Sequence, residues 1–221
     1  MATIASGLQA VKQQIEKTAE GPVALLAVSK TWPAEAVREA HRAGQKAFGE
    51  SYVQEALEKM KALSDLDLEW HFIGPIQSNK TGLIAENFDW VHGVDRERIA
   101  LRLSRARPES MPPLQVCIQV NVSGEASKSG IEPEKVLSLA NYISGLARLK
   151  LRGLMAIPEP TNDPRLQRAR FAEVRLLKEM LSESGFDLDT LSMGMSGDFE
   201  SAILEGATII RIGSAIFGTR I

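Results

Sequence analysis

Val23-Ala24-Leu25-Leu26-Ala27-Val28-Ser29-Lys30-Thr31-Trp32-Pro33 is the stretch on which the fold turns. Its apolar run is short and β-branched at intervals, which suits a fully buried strand better than a helix. Pro33 cannot continue a strand ladder and fits the first turn of a helix. The stretch therefore places Lys30 at the carboxyl end of a buried strand, just ahead of a helix. Desolvation in such a place disfavours the ammonium and favours the neutral amine that a Schiff-base lysine needs. On this stretch alone, a lysine that merely ends a strand and reaches for solvent is the simpler explanation. The rest of the chain has to decide.

Outward from that strand, apolar runs and helical patterns alternate to the end of the chain. Residues 1–20 carry an apolar stripe at Ile4, Leu8, Val11 and Ile15, as a helix would. Residues 33–43 read as a helix stopped by Gly44. Strands are expected at 47–51, 69–74, 90–94, 114–122, 149–157, 190–195 and 208–212. Helices fall between them, with Asp95 as an N-cap and Asp163-Pro164 opening a long one. Such alternation implies parallel strands with helices outside. Eight strands in one unit point to a closed (β/α)8 barrel, a single domain over residues 1–221. The chain ends too soon after the eighth strand for a full final helix. The N-terminal helix is expected to cover that wall.

The composition fits a soluble globular chain: 221 residues, 44% hydrophobic and 24% charged. A formal net charge of −2 offers nothing to nucleic acid or to an anionic membrane. No segment has the apolar length of a membrane span or the layout of a signal peptide, so a cytoplasmic protein is expected. The single Cys117 excludes an intrachain disulfide and, inside an apolar strand, reads as a packed core thiol. His71 and His92 lie within strands and read as satisfied structural histidines, and His41 as a solvated helix residue. Their spacing suggests no metal site. No nucleophile elbow, Walker loop or dinucleotide fingerprint occurs.

In this barrel class the functional groups lie at the carboxyl ends of the strands. That rule collects Lys30 after the first strand and Ser51 after the second. Ser192-Met193-Gly194-Met195-Ser196-Gly197-Asp198 and Ile212-Gly213-Ser214 follow the seventh and eighth. Small residues there let backbone N–H groups approach an anion, and these two loops are where such barrels hold phosphate. Tight strand-to-helix turns also favour Gly and Ser, so it is the coincidence of both loops that counts. Arg211, between Ile210 and Ile212, is costly to bury without an acceptor. It reads either as half of an ion pair with an acidic side chain or as a donor to a ligand's ring nitrogen or oxyanion. An amine, a phosphate cradle and an arginine together fit a phosphorylated aldehyde, and pyridoxal 5′-phosphate (PLP) is the cofactor that most often needs all three. A Schiff-base aldolase acting on a sugar phosphate would share the lysine and the loops. It would also need an acid/base group that the sequence does not nominate.

The chain resembles the PLP homeostasis proteins, a PLP-binding family whose fold is like the N-terminal barrel of alanine racemase. The resemblance rests on Leu26-Ala27-Val28-Ser29-Lys30-Thr31, Phe48-Gly49-Glu50-Ser51-Tyr52-Val53-Gln54-Glu55 and Trp70-His71-Phe72-Ile73-Gly74-Pro75-Ile76-Gln77-Ser78-Asn79-Lys80. It continues through Lys128-Ser129-Gly130, Gly153-Leu154-Met155-Ala156-Ile157-Pro158, Ser192-Met193-Gly194-Met195-Ser196 and Arg211-Ile212-Gly213-Ser214-Ala215-Ile216-Phe217-Gly218. These stretches span nearly the whole chain. The resemblance implies an internal aldimine between PLP and Lys30, a phosphate held by Ser196, Gly197, Gly213 and Ser214, and Arg211 near the pyridine nitrogen. The family usually has asparagine where this chain has Ser51. A serine hydroxyl is shorter and cannot offer both an amide donor and a carbonyl acceptor. Water is expected to bridge the gap.

Alanine racemase adds a second domain that brings a tyrosine base. This chain has only Tyr52 and Tyr142, of which Tyr52 alone follows a strand near the site. The resemblance, and the missing base, imply a monomeric carrier with no catalytic residue, which buffers PLP or hands it to PLP-dependent apo-enzymes. A PLP enzyme with weak racemase-like activity is the alternative, and a phosphate-binding barrel lyase using Lys30 without PLP the third. Lys80 and Lys128 sit in matching loops and are read as solvated charges, with a secondary anchoring role as the alternative.

Overall fold

The computed structural model of the chain describes residues 3–123 and 129–218. The loop lysine Lys128 lies outside the described residues. Eight parallel strands run in sequence order around a closed barrel, the last pairing with the first. They are β1 (Ala24–Val28), β2 (Ala47–Glu50), β3 (Glu69–Phe72), β4 (Trp90–Val94), β5 (Leu114–Val120), β6 (Leu149–Ala156), β7 (Thr190–Ser192) and β8 (Ile209–Ile212). The helices are α1 (Ile4–Thr18), α2 (Ala34–Arg42), α3 (Val53–Ala62), α4 (Thr81–Asn87), α5 (Glu97–Ala106), α6 (Val136–Ser144), α7 (Pro164–Glu183), α8 (Phe199–Leu204) and α9 (Ser214–Phe217). The barrel expected from the alternation is the barrel found.

Alternate residues along each strand face opposite sides, and this divides the interior in two. Ala27, Phe48, Val91, Val116, Leu154 and Ile210 pack outward against the helices in the larger core. Leu26, Trp90, Cys117, Met155 and Ile209 fill the barrel itself. Cys117 is fully buried there, and burial pushes its thiol up to about 12. It is a packing residue, as expected.

Several strands stop earlier than the apolar runs suggest. β7 is the clearest case, ending at Ser192 rather than at 195. Gly194 has φ of +94°, a left-handed conformation that bends the chain out of the sheet, and its carbonyl accepts the Arg211 N–H at 3.0 Å. Asp95 is not an N-cap. The cap position of α5 is Arg96, and the Asp95 carboxylate instead accepts from the Arg96 guanidinium at 2.6 Å. Asp163 does cap α7, accepting the Arg165 N–H at 2.9 Å. His41, expected in solvent, is half-buried near the end of α2.

The helix α1 closes the wall that the four-residue α9 leaves open. Leu8, Val11 and Ile15 are its buried stripe, and Thr3 caps it through the Ser6 N–H. The approach to α9 is so close that a Cβ at Gly7 would lie 2.7 Å from the Ala215 carbonyl oxygen. Only glycine permits that contact.

Candidate functional site

Residues just past the ends of the strands line a cavity of about 520 Å³ at the carboxyl-end mouth of the barrel. Lys30, Ser51, Ser196, Gly197, Arg211, Gly213 and Ser214 all line it, together with Val28, Ile73, Ile157 and Met195 as apolar wall. Trp32 stands at the same mouth and stacks on Phe217 with ring centroids 5.8 Å apart. The geometry thus brings all seven residues singled out from the sequence into one place. Lys80 and Tyr52 lie outside that lining. Lys80 donates to the Gln54 side chain at 3.2 Å, and Tyr52 is 56% exposed. Tyr142 packs against the outer core.

Lys30 is half-buried on a tight turn after β1. The Trp32 N–H donates to the Ser29 carbonyl at 3.0 Å, and Thr31, the third residue of the turn, has φ of +69°. That conformation is normal for glycine and strained for a β-branched residue. What holds it is a charged cluster beneath the turn. Glu55 Oε1 accepts the Thr31 N–H at 2.5 Å and the Lys59 ammonium at 2.6 Å. Lys59 Nζ also donates to the Ser29 carbonyl and to Glu50 Oε1, each at 2.7 Å. The Ser29 hydroxyl completes the cluster by donating to Glu50 Oε1 at 2.7 Å. Glu50 is fully buried and Lys59 nearly so. Burial pushes the Glu50 carboxyl above its usual range, with the Lys59 charge and hydrogen bond acting against that.

The sequence reading missed this cluster. Its signal was present: Lys59 occupies the same helical stripe as Val53, Ala56 and Leu63, where a lysine has no place without a buried partner.

Arg211 forms the floor. It points into the barrel in register with Leu26 and is 4% exposed. Its acceptors are neutral oxygens, not the acidic side chain that one of its two readings offered. Nη1 donates to the Ser192 carbonyl at 2.5 Å and hydroxyl at 2.7 Å, and Nη2 donates to the Ala156 carbonyl at 2.9 Å. Burial lowers the guanidinium to about 10, which still leaves it charged at neutral pH. These three bonds fix the plane of the fork and leave other N–H groups of Arg211 for whatever the cavity holds.

The remaining wall suits an anion. The Ser214 hydroxyl donates to the Ser196 hydroxyl at 3.2 Å, so the loops after β7 and β8 meet at one point. A Cβ at Gly197 would meet nothing within 4 Å, so the backbone there faces open space. At Gly213 a Cβ would lie 3.2 Å from the Val28 carbonyl, so the loop after β8 packs tightly on β1. Asp198 folds the first loop back by accepting the Met195 N–H at 2.6 Å. A flat ring with a phosphate fits this arrangement: apolar walls, a donor floor, one amine, and a hydroxyl-lined cradle opposite. Among the described residues no group of side chains is arranged to hold a metal ion.

The alanine racemase N-terminal domain family matches residues 6–221. The pyridoxal phosphate homeostasis protein of Pseudomonas aeruginosa is 58% identical over all of this chain and 97% of its own. That of Vibrio cholerae is 55% identical, with 100% and 98% covered. The structure of PipY from Synechococcus elongatus with PLP bound is 40% identical and superposes with a TM-score of 0.88 over 98% of this chain and 100% of that one. Alanine racemase from Corynebacterium glutamicum, at 16% identity and a TM-score of 0.75, shares the fold over 98% of this chain and 61% of its own. The chain belongs to the alanine racemase N-terminal domain family and, within it, to the pyridoxal phosphate homeostasis proteins.

Proposed function

We propose that this barrel binds PLP reversibly in the cavity at its mouth and serves to buffer the cofactor and pass it on. PLP supplies an aldehyde, an aromatic ring and a phosphate. Lys30 is the amine that condenses with the aldehyde carbon, with water leaving. Ser196, Gly197, Gly213 and Ser214 cradle the phosphate, and Arg211 donates toward the ring nitrogen. Val28, Ile73 and Met195 give the ring an apolar wall. Ser51 reaches toward the cofactor through water. The similarity to a solved relative with PLP bound supports the ligand.

The observation that carries the carrier reading is the chemistry of the lining. Among the described residues it holds one amine and one guanidinium, and no carboxylate, imidazole, thiol or phenol. A racemase needs a second acid/base group facing the lysine. The cavity instead suits holding and releasing. We place the protein in the cytoplasm, as a monomer of one domain that delivers PLP to apo-enzymes. Its one described thiol, Cys117, is buried and inert, and no helix among the described residues is long and apolar enough to cross a membrane.

Titration with PLP tests the reading. Wild-type protein gains the absorption band of lysine-bound cofactor, and Lys30→Ala does not. Incubation with L-amino acids in deuterated water gives no sustained exchange at Cα. Steady turnover there would favour the racemase instead.

A further inference from the structure

The barrel interior carries a continuous hydrogen-bonded chain that ends on Arg211. The Ser192 hydroxyl oxygen accepts from Arg211 Nη1 at 2.7 Å and lies 2.7 Å from His92 Nδ1. His92 Nε2 lies 2.9 Å from His71 Nδ1. His71 Nε2 lies 2.6 Å from Glu69 Oε1. Ser192 and His92 are fully buried and His71 nearly so, whereas the Glu69 side chain is half exposed at the opposite end of the barrel. Four strands contribute, and the chain crosses the barrel from the amino-end rim to the floor of the cavity.

The direction of each bond follows from its two ends. A guanidinium has only donors, so Ser192 accepts from Arg211 and its own hydroxyl hydrogen is free to donate to His92 Nδ1. At the other end the Glu69 carboxylate accepts, so His71 Nε2 carries a hydrogen. With one ring proton each, His71 Nδ1 and His92 Nδ1 are both bare, and His92 Nε2–H donates to His71. The two ends agree on one arrangement. Reversing it requires His71 to carry a second proton beside His92. Among the described residues, the charges facing the chain are Arg211 at the cavity end, with the Asp198 carboxylate acting on it, and at the other end Glu69 with Arg152, which is paired to Asp189 at 2.5 Å. Burial, with the Arg211 charge adding, pushes His92 well below the usual histidine range.

We propose that Ser192, His92 and His71 are positioning residues for Arg211, forming a one-way hydrogen-bond chain anchored on Glu69 that fixes the guanidinium on the cavity floor. Among the described residues no carboxylate is bonded to Arg211; neutral oxygens hold it and the chain carries its polarity through the core to Glu69. Given that the cavity binds PLP, as proposed above, the chain sets how Arg211 meets the ring nitrogen. It makes the absorption of bound cofactor sensitive to residues that do not touch it.

Two measurements test this. Histidine-selective nitrogen NMR on the cofactor-free protein, with signals assigned by His71→Gln and His92→Gln, reads the ring protons. Both histidines are expected to be neutral, protonated at Nε2 and bare at Nδ1. A proton on Nδ1 of His92, or two on His71, at neutral pH overturns the chain. In the second, Ser192→Ala keeps the backbone acceptor of Arg211 and removes only the hydroxyl. PLP affinity is expected to fall about tenfold, the worth of one hydrogen bond to a charged group, and the absorption maximum of bound PLP to shift. Unchanged affinity and absorption in a variant that still binds overturn the positioning role while leaving the proposed function intact. If wild-type protein takes up no PLP, the proposed function fails, and the NMR result alone decides whether the chain exists.

Discussion

Lys59 Nζ and Glu50 Oε1 lie 2.7 Å apart, buried beneath the turn that presents Lys30 to the cavity. Pairs like this contribute little net stability against an apolar alternative, yet breaking one leaves an uncompensated charge in the interior. Lys59→Met should therefore cost about 3–5 kcal/mol in urea unfolding. It should also weaken PLP uptake, because Glu55 and Ser29 lose the ammonium that ties them under Thr31. Adding Glu50→Gln should recover part of the stability. A Lys59→Met protein as stable as wild type would contradict this account.

His92 gives a pH dependence with a definite sign. Burial holds its folded-state pKa well below the ordinary value near 6.5. Below that ordinary value the unfolded chain binds a proton that the folded chain refuses, so this contribution is fully present above it and is lost as pH falls. The slope approaches about 1.4 kcal/mol per pH unit. His92→Gln removes it. Urea unfolding at a series of pH values should show the stability difference between the two proteins changing through this window, with wild type losing more as pH falls. Glu50 shifts in the opposite sense but is present in both proteins, so it cancels. Parallel curves would contradict the neutral, buried state of His92.

The contact of α1 with α9 couples the N-terminus to the cavity. A side chain at Gly7 collides with the Ala215 and Ile216 carbonyls, and α9 carries Ser214. Gly7→Val should push α9 outward, lower the melting temperature and weaken PLP binding by loosening the cradle. Overpacking of this kind costs about 1–3 kcal/mol. Deleting the first twenty residues should go further, exposing the apolar surface that α1 covers. A truncated protein that melts like the intact one would refute the covering role.

Much of this was legible in the sequence because a barrel converts chain order into position. Apolar runs at regular spacing give eight strands, and the residue after each run falls at one end. That is how Lys30, Ser51 and the loops after β7 and β8 could be named and then found around one cavity. What escaped depends on contacts across elements. Lys59 and Glu50 are nine positions apart on a helix and a strand, and only packing brings them together. The pairing of His71 with His92 depends on how β3 and β4 sit side by side, which the residues alone do not state. Of the two readings of Arg211, the ion pair with an acidic side chain falls away, because backbone carbonyls and a serine meet a buried cation's need for acceptors equally well. The apolar pattern overruns the end of β7 because it does not register a left-handed glycine.

Lys30 is proposed to hold PLP covalently. Borohydride reduction of the PLP-loaded protein, followed by peptide mass spectrometry, reads that bond itself, since reduction makes the lysine–cofactor bond permanent. A phosphopyridoxyl group is expected on the peptide carrying Lys30, at about one per chain, and none at Lys59 or Lys80. A reduced adduct on another lysine, or none on protein that has demonstrably bound PLP, would contradict it.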